Sequence, residues 1–286
     1  MKSILPIICS VFILLSCKKE EGNSDQGTTA DVEKNYTDIG YGDDAKQKMD
    51  IYLPAKRTES KTKTLVLIHG GGWTEGDKSD MTAVVDSLKL RLPDYAFINI
   101  NYRLAFNSTT NLFPTQENDV ETAIDFYLNK SSEYKVSNDL IVSGASAGGH
   151  LALLYSYKDD VDKHVKAVID FFGPTDLVAL WNAGLTQQLI LASVTGKLYD
   201  QDHELYNQAS PINFVTAQSP STIVLQGGAD PLVPATQSTS LIAKLQANSV
   251  ANQLVFYEGG GHGNWPAATY SDAFNKIQKF IIDNVP

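Results

Sequence analysis

Cysteine is almost absent from this chain of 286 residues: there are two, Cys9 and Cys17, and none follows. Everything downstream of residue 17 is therefore without the means to form a disulfide. No pair of cysteines or histidines has zinc spacing. The acidic cluster Asp159, Asp160 and Asp162 lacks a ligand-spaced loop, so no metal site is expected. Positive charge is also short, with 23 Lys and Arg against 33 Asp and Glu and a net charge of −10. That balance excludes nucleic-acid binding by phosphate neutralisation. Long apolar runs are missing, and the longest, residues 4–15, is too short to span a bilayer. There is no internal repeat or low-complexity tract. What is present is ordinary for a folded domain: 43% hydrophobic and 20% charged residues, in a length that suits one large α/β domain.

The N-terminus has its own logic. Met1, Lys2 and Ser3 form a basic opening, residues 4–15 an apolar stretch, and Leu14-Leu15-Ser16-Cys17 resembles a bacterial lipobox. That resemblance implies a signal peptide over 1–17, lipidation of Cys17, loss of Cys9, and a membrane partner reached through the lipid. The protein is then expected to be exported and anchored in the outer membrane, facing the periplasm or the cell surface. Lys18-Lys19-Glu20-Glu21 resembles surface-export signals of some lipoproteins. Residues 18–35, small and polar, read as a flexible tether, and 36–286 as one domain.

Within that domain, residues 48–53 alternate in period two before Pro54, as a half-buried antiparallel strand does. Six later runs are continuously apolar, the pattern of strands covered on both faces: 64–68, 96–100, 140–142, 165–172, 222–225 and 254–257. Helical spacing falls between them at 81–92, 116–128, 150–157, 237–245 and 272–285. This alternation predicts a mostly parallel sheet with helices on both faces. Residues 177–215 break the rhythm and read as a small cap or extended loop.

Gly144-Ala145-Ser146-Ala147-Gly148 follows the apolar run 140–142 directly. A serine between glycines, where a strand turns sharply into a helix, is presented to a base that activates it. His69-Gly70-Gly71-Gly72 follows the strand 64–68. Its glycines free backbone N–H groups to converge, so Gly71, Gly72 and the N–H of Ala147 are expected to form an oxyanion hole, each donor worth roughly 3 kcal/mol. Trp73 is expected either to wall the substrate pocket or to pack in the core. Of the five histidines, His262 alone lies in a glycine-rich loop after the last strand and is the expected base. His69 reads as a structural hydrogen-bonder, His150 as packing or helix surface, and His164 and His203 as surface. Asp230, in a turn after strand 222–225, is expected to orient His262. Asp176 is its competitor, better suited to capping a helix.

With those residues in place, the chain resembles an α/β-hydrolase of the HGGG-type esterase group, and in particular bacterial feruloyl and acetyl esterases acting on plant polysaccharides. The likeness runs from about Tyr36 to the C-terminus, through Asn101-Tyr102-Arg103-Leu104, Gly173-Pro174-Thr175-Asp176, Ser210-Pro211 and Gly261-His262-Gly263. It implies an eight-stranded sheet, no cofactor and an acyl-enzyme on Ser146. The cap segment diverges most in such families, so the substrate does not follow from the likeness; export together with the family points to a small acyl ester or acylated glycan taken up outside the cell. Tyr102 and Arg103 fall in a segment usually structural in that group. Gln226 stands where relatives commonly have histidine. A peptidase or amidase of the same fold, prolyl-oligopeptidase-like or formamidase-like, and a non-catalytic binding protein remain as alternatives.

Overall fold

The computed structural model describes residues 30–285. The leader 1–17, Cys17 and most of the tether lie outside the described residues. The chain joins the domain at Lys34, two residues before the boundary expected from composition. Arg57 holds the segment ahead of it by donating to the carbonyl of Val32 at 2.6 Å.

Eight strands form one sheet: β1 (Lys34–Gly40), β2 (Lys48–Leu53), β3 (Thr64–Ile68), β4 (Ala96–Ile100), β5 (Leu140–Ala145), β6 (Val165–Phe171), β7 (Ser221–Gly227) and β8 (Asn252–Tyr257). Their spatial order is β1-β2-β4-β3-β5-β6-β7-β8. β2 pairs antiparallel with both β1 and β4, and every other pairing is parallel. This is the mostly parallel eight-stranded sheet of the α/β-hydrolase fold. β1 is the strand that periodicity does not reveal. It is an edge strand of sequence Lys-Asn-Tyr-Thr-Asp-Ile-Gly with a register break between Tyr36 and Ile39, so it carries no clean alternation.

Nine α-helices accompany the sheet among the described residues: α1 (Thr82–Arg91), α2 (Thr115–Leu128), α3 (Ser131–Tyr134), α4 (Ala147–Leu154), α5 (Leu177–Trp181), α6 (Leu185–Thr195), α7 (His203–Gln208), α8 (Thr236–Ala247) and α9 (Ala267–Asn284). None is long and apolar enough to cross a membrane. The period-two geometry of a strand divides the core cleanly. On β3, Val66 and Ile68 face one apolar layer with Ile124 of α2 and Leu151 of α4, whereas Leu65 and Leu67 face another with Leu88 of α1 and Ile277 of α9. Both faces of the central strands are thus covered, as their continuous apolar runs require.

Residues 177–215 do form a small cap, carried by α5, α6 and α7 and inserted between β6 and β7. Trp181 meets Tyr206 edge-on at 5.5 Å inside it. α4 begins at Ala147, three residues earlier than its apolar spacing suggests, because two glycines at its start carry no hydrophobic signal. It then widens into a π turn over Tyr155–Asp159.

Candidate active site

The serine turn is built by close approach. Ser146 has φ 54° and ψ −119°, a conformation few L-residues adopt, and its N–H is held by the carbonyl of Phe171 at 2.8 Å. Any side chain on Gly148 would put a Cβ 2.1 Å from the carbonyl oxygen of Ile68, and one on Gly144 would lie 2.2 Å from Gly148 itself. Glycine at both places lets α4 start hard against the ends of β3 and β5.

The three residues expected from separate parts of the sequence meet at this turn. Ser146 Oγ lies 2.9 Å from His262 Nε2, and His262 Nδ1 lies 2.7 Å from Asp230 Oδ2. Because a carboxylate only accepts, Nδ1 carries the proton and Nε2 is left to accept from the serine hydroxyl. The Asp230 side chain is fully buried. Its other oxygen, Oδ1, accepts the N–H groups of Leu232 at 2.8 Å and Val233 at 2.9 Å. Asp176, its competitor, caps α5 by accepting the N–H of Ala179. The His262 loop is braced on both sides. Its ring packs on Phe172 at 4.7 Å, Trp265 Nε1 donates to Gly261, and the Tyr270 hydroxyl donates to Gly263.

Opposite, the glycine loop turns through φ +98° at Gly71 and +57° at Gly72. A Cβ on Gly71 would sit 2.1 Å from the carbonyl oxygen of Glu75. Neither the Gly71 nor the Gly72 N–H has a hydrogen-bond partner among the described residues. The N–H of Ala147, at the first position of α4, is one of the donors a helix start leaves unused. These groups border a cavity of about 420 Å³ lined by Gly70, Gly71, Gly72, Ser146, His262 and the apolar side chains of Trp73, Phe172, Leu180, Ile190, Leu232 and Val233. A serine activated by imidazole, beside free N–H groups and an apolar cavity, is equipped for acyl transfer.

Trp73 stands between the cavity and the core. It lines the cavity, is only 2% exposed, and donates from Nε1 to His150 Nδ1 at 3.3 Å. His150 is packing rather than helix surface. It is buried, its Nε2–H donates to Ala209 at 2.7 Å, and burial pushes its imidazole down to about 4. His69 stacks on Tyr102 at 4.3 Å, and burial lowers its basicity as well. His203 is exposed on the cap and His164 half-buried beyond Asp160. Gln226 braces the acid turn, donating to the carbonyl of Val233 at 3.1 Å and accepting from Ser238. No group of three or more His, Cys, Asp or Glu side chains is arranged to hold a metal among the described residues.

Three contributors have parts here that the sequence does not assign to them. Tyr102 donates from beneath to the carbonyls of the glycine loop. Gln187, on the cap, lines the cavity and reaches the acid turn. Asp170, on β6 under the serine turn, is fully buried. It accepts the N–H of Gly173 through Oδ1, Oδ2 has no hydrogen-bond partner, and burial pushes the carboxyl up to about 8.

Comparison with known proteins bears on this geometry. The profile of the BD-FAE family matches residues 49–245. Esterase LipC of Mycobacterium tuberculosis is 28% identical over 243 residues, covering 78% of this chain and 58% of the relative. The probable carboxylic ester hydrolase LipM of the same organism is 30% identical over 235 residues, covering 77% of this chain and 53% of its own. The chain thus spans about half the length of the curated relatives it matches. Among solved structures, a bifunctional GH43-CE of Bacteroides eggerthii superposes with TM-score 0.77 at 28% identity, over 88% of this chain and 38% of that one. A truncated carbohydrate esterase from gut microbiota shares the fold with TM-score 0.76 at 24% identity, over 90% of this chain and 98% of that one.

Proposed function

The chain belongs to the BD-FAE family, and from that premise we propose that it is a carboxylic ester hydrolase working through a Ser146–His262–Asp230 triad. The observation that carries this reading is the unbroken relay of 2.9 Å and 2.7 Å contacts from the Ser146 hydroxyl to the buried Asp230 carboxylate. His262 takes the serine proton as Oγ attacks the ester carbonyl. Asp230 stabilises the imidazolium that results. The carbonyl oxygen becomes an oxyanion held by the N–H groups of Gly71, Gly72 and Ala147. His262 then gives its proton to the leaving alcohol, and water, activated by the same imidazole, hydrolyses the acyl-enzyme.

The substrate reading is a small acyl ester, acetyl or feruloyl, on a plant-glycan-derived alcohol. The likeness to the bifunctional GH43-CE supports the carbohydrate side of it. A cavity of about 420 Å³ with apolar walls suits a compact acyl group. Export and anchoring through a lipid on Cys17 complete the proposal, supported by the lipobox-like residues 14–17.

Replacing Ser146 with Ala is expected to lower turnover of p-nitrophenyl acetate by a factor on the order of 10⁴–10⁶ and to abolish labelling by a fluorophosphonate probe. Near-wild-type turnover in that variant overturns the proposal. A Cys17→Ala protein that still incorporates labelled fatty acid overturns the anchor alone.

A further inference from the structure

The two N–H groups that reach Asp230 Oδ1 belong to the peptide groups Pro231–Leu232 and Leu232–Val233. The carbonyl ends of those same two peptide groups share one donor. Gln187 Nε2 lies 3.1 Å from the oxygen of Pro231 and 3.1 Å from the oxygen of Leu232. Each planar peptide is therefore held at both ends, by the acid on one side and by a single cap amide on the other. Gln187 sits in the first turn of α6, is 7% exposed, and lines the cavity together with Ile190 of the same helix.

Two physical effects follow from this arrangement. The amide fixes the turn that carries Asp230, so the carboxylate is aimed at His262 from a position set partly by the cap. A carbonyl that accepts a hydrogen bond also polarises its own N–H, strengthening the next bond in the chain by roughly 10–30%. We propose that Gln187 is a positioning residue for the triad, through which the seating of the cap on the substrate side is coupled to the Asp230–His262 hydrogen bond. This rests on the triad reading above. It makes α6 more than a wall: a ligand that shifts α6 also shifts the hold on the acid.

The test uses Gln187→Leu and Gln187→Met in the full chain. The second keeps the volume and removes both donors, so it carries the test if the first does not fold. Both are expected to lower kcat on p-nitrophenyl acetate about tenfold with KM within about twofold, and to move the low-field proton resonance of His262 Nδ1–H. Leu189→Ser, on the exposed outer side of α6 at 64% exposure, is expected to leave both unchanged. In an Asp230→Asn background, Gln187→Leu is expected to cost nothing further, because the group it positions is already lost. Folded Gln187 variants that keep kcat and the resonance, or that lose the same factor with and without the Asp230 carboxylate, overturn the coupling and leave the triad standing. Full activity in Asp230→Asn alone overturns the triad reading and the coupling with it.

Discussion

The Tyr102 hydroxyl lies 3.1 Å from the carbonyl oxygen of His69 and 3.1 Å from that of Gly70, so one buried phenol grips two successive peptide groups of the glycine loop. Its ring lies flat against His69, with 7° between the planes. Burial holds the phenol protonated well beyond its ordinary range, so it donates at every pH the protein meets. The loop needs this support. Its glycines choose an unusual backbone path but have no side chains to keep it there.

Tyr102→Phe keeps the stacked ring and removes only the donor. The glycine loop is expected to lose its fixed direction, and kcat to fall about tenfold to a hundredfold, since small misplacements of catalytic groups are costly. Stability should drop by only about 1 kcal/mol. Steady-state kinetics with thermal melting separates the two effects. An unchanged kcat refutes the orienting part assigned to the hydroxyl.

Gly148→Ala puts a methyl group 2.1 Å from the backbone oxygen of Ile68. Neither partner is a flexible side chain, so β3 and α4 must separate and Ser146 moves with them. The variant is expected to be both less stable and at least a hundredfold less active. A crystal structure or a melting curve indistinguishable from that of the parent protein contradicts the close-packing account.

Arg103 closes over Asp119, whose side chain is 1% exposed, with Nη2 at 2.6 Å and Nε within 3.1 Å of its oxygens. Gln47 and the Arg103 backbone N–H also donate to that carboxylate. Arg103→Met leaves the buried charge with these two donors alone. Because the Arg103 side chain is itself 31% exposed, the expected cost is about 2 kcal/mol, within the range for hydrogen bonds to a charged group. Chemical denaturation measures it, and a loss under 1 kcal/mol is the contrary result.

Two buried groups give stability opposite slopes with pH. Asp170 titrates near 8 in the folded protein against an ordinary 3.8. Between those values the folded state keeps a proton that the unfolded chain has released, so stability falls as pH rises toward 8. His150 titrates near 4 against 6.5. The unfolded chain binds that proton first, and stability falls as pH drops from 6.5 toward 4. Asp170→Asn is expected to remove the loss on the alkaline side and to expose the acid-side loss from His150. His150→Gln does the reverse. Unfolding midpoints across pH 4–8 check both signs.

The sequence was legible where chemistry needs a local pattern. Ser146 announces itself through flanking glycines, and His262 through a glycine-rich loop after the last strand. Asp230 follows from its place after the neighbouring strand. The five central strands read as apolar runs because both of their faces are covered. Legibility ended where contacts are made across the fold. β1 is a polar edge strand whose register breaks, so its sequence looks like tether. Asp170 sits inside an apolar strand run and draws no notice until its burial is known. Tyr102 and Gln187 act on backbone carbonyls 32 and 44 residues away in sequence, and nothing beside them in the chain marks that reach.

The cap is an insertion between two strands, and such insertions are natural units of exchange during divergence. Here the exchange is not free. A foreign segment grafted in place of residues 177–215 brings its own pocket, but it also removes the amide that holds the carbonyls of Pro231 and Leu232. On the positioning role proposed for Gln187, a grafted cap is expected to keep the acid turn seated only where it carries a donor in that place. Altering the substrate-side wall and keeping Asp230 in place are then not independent changes.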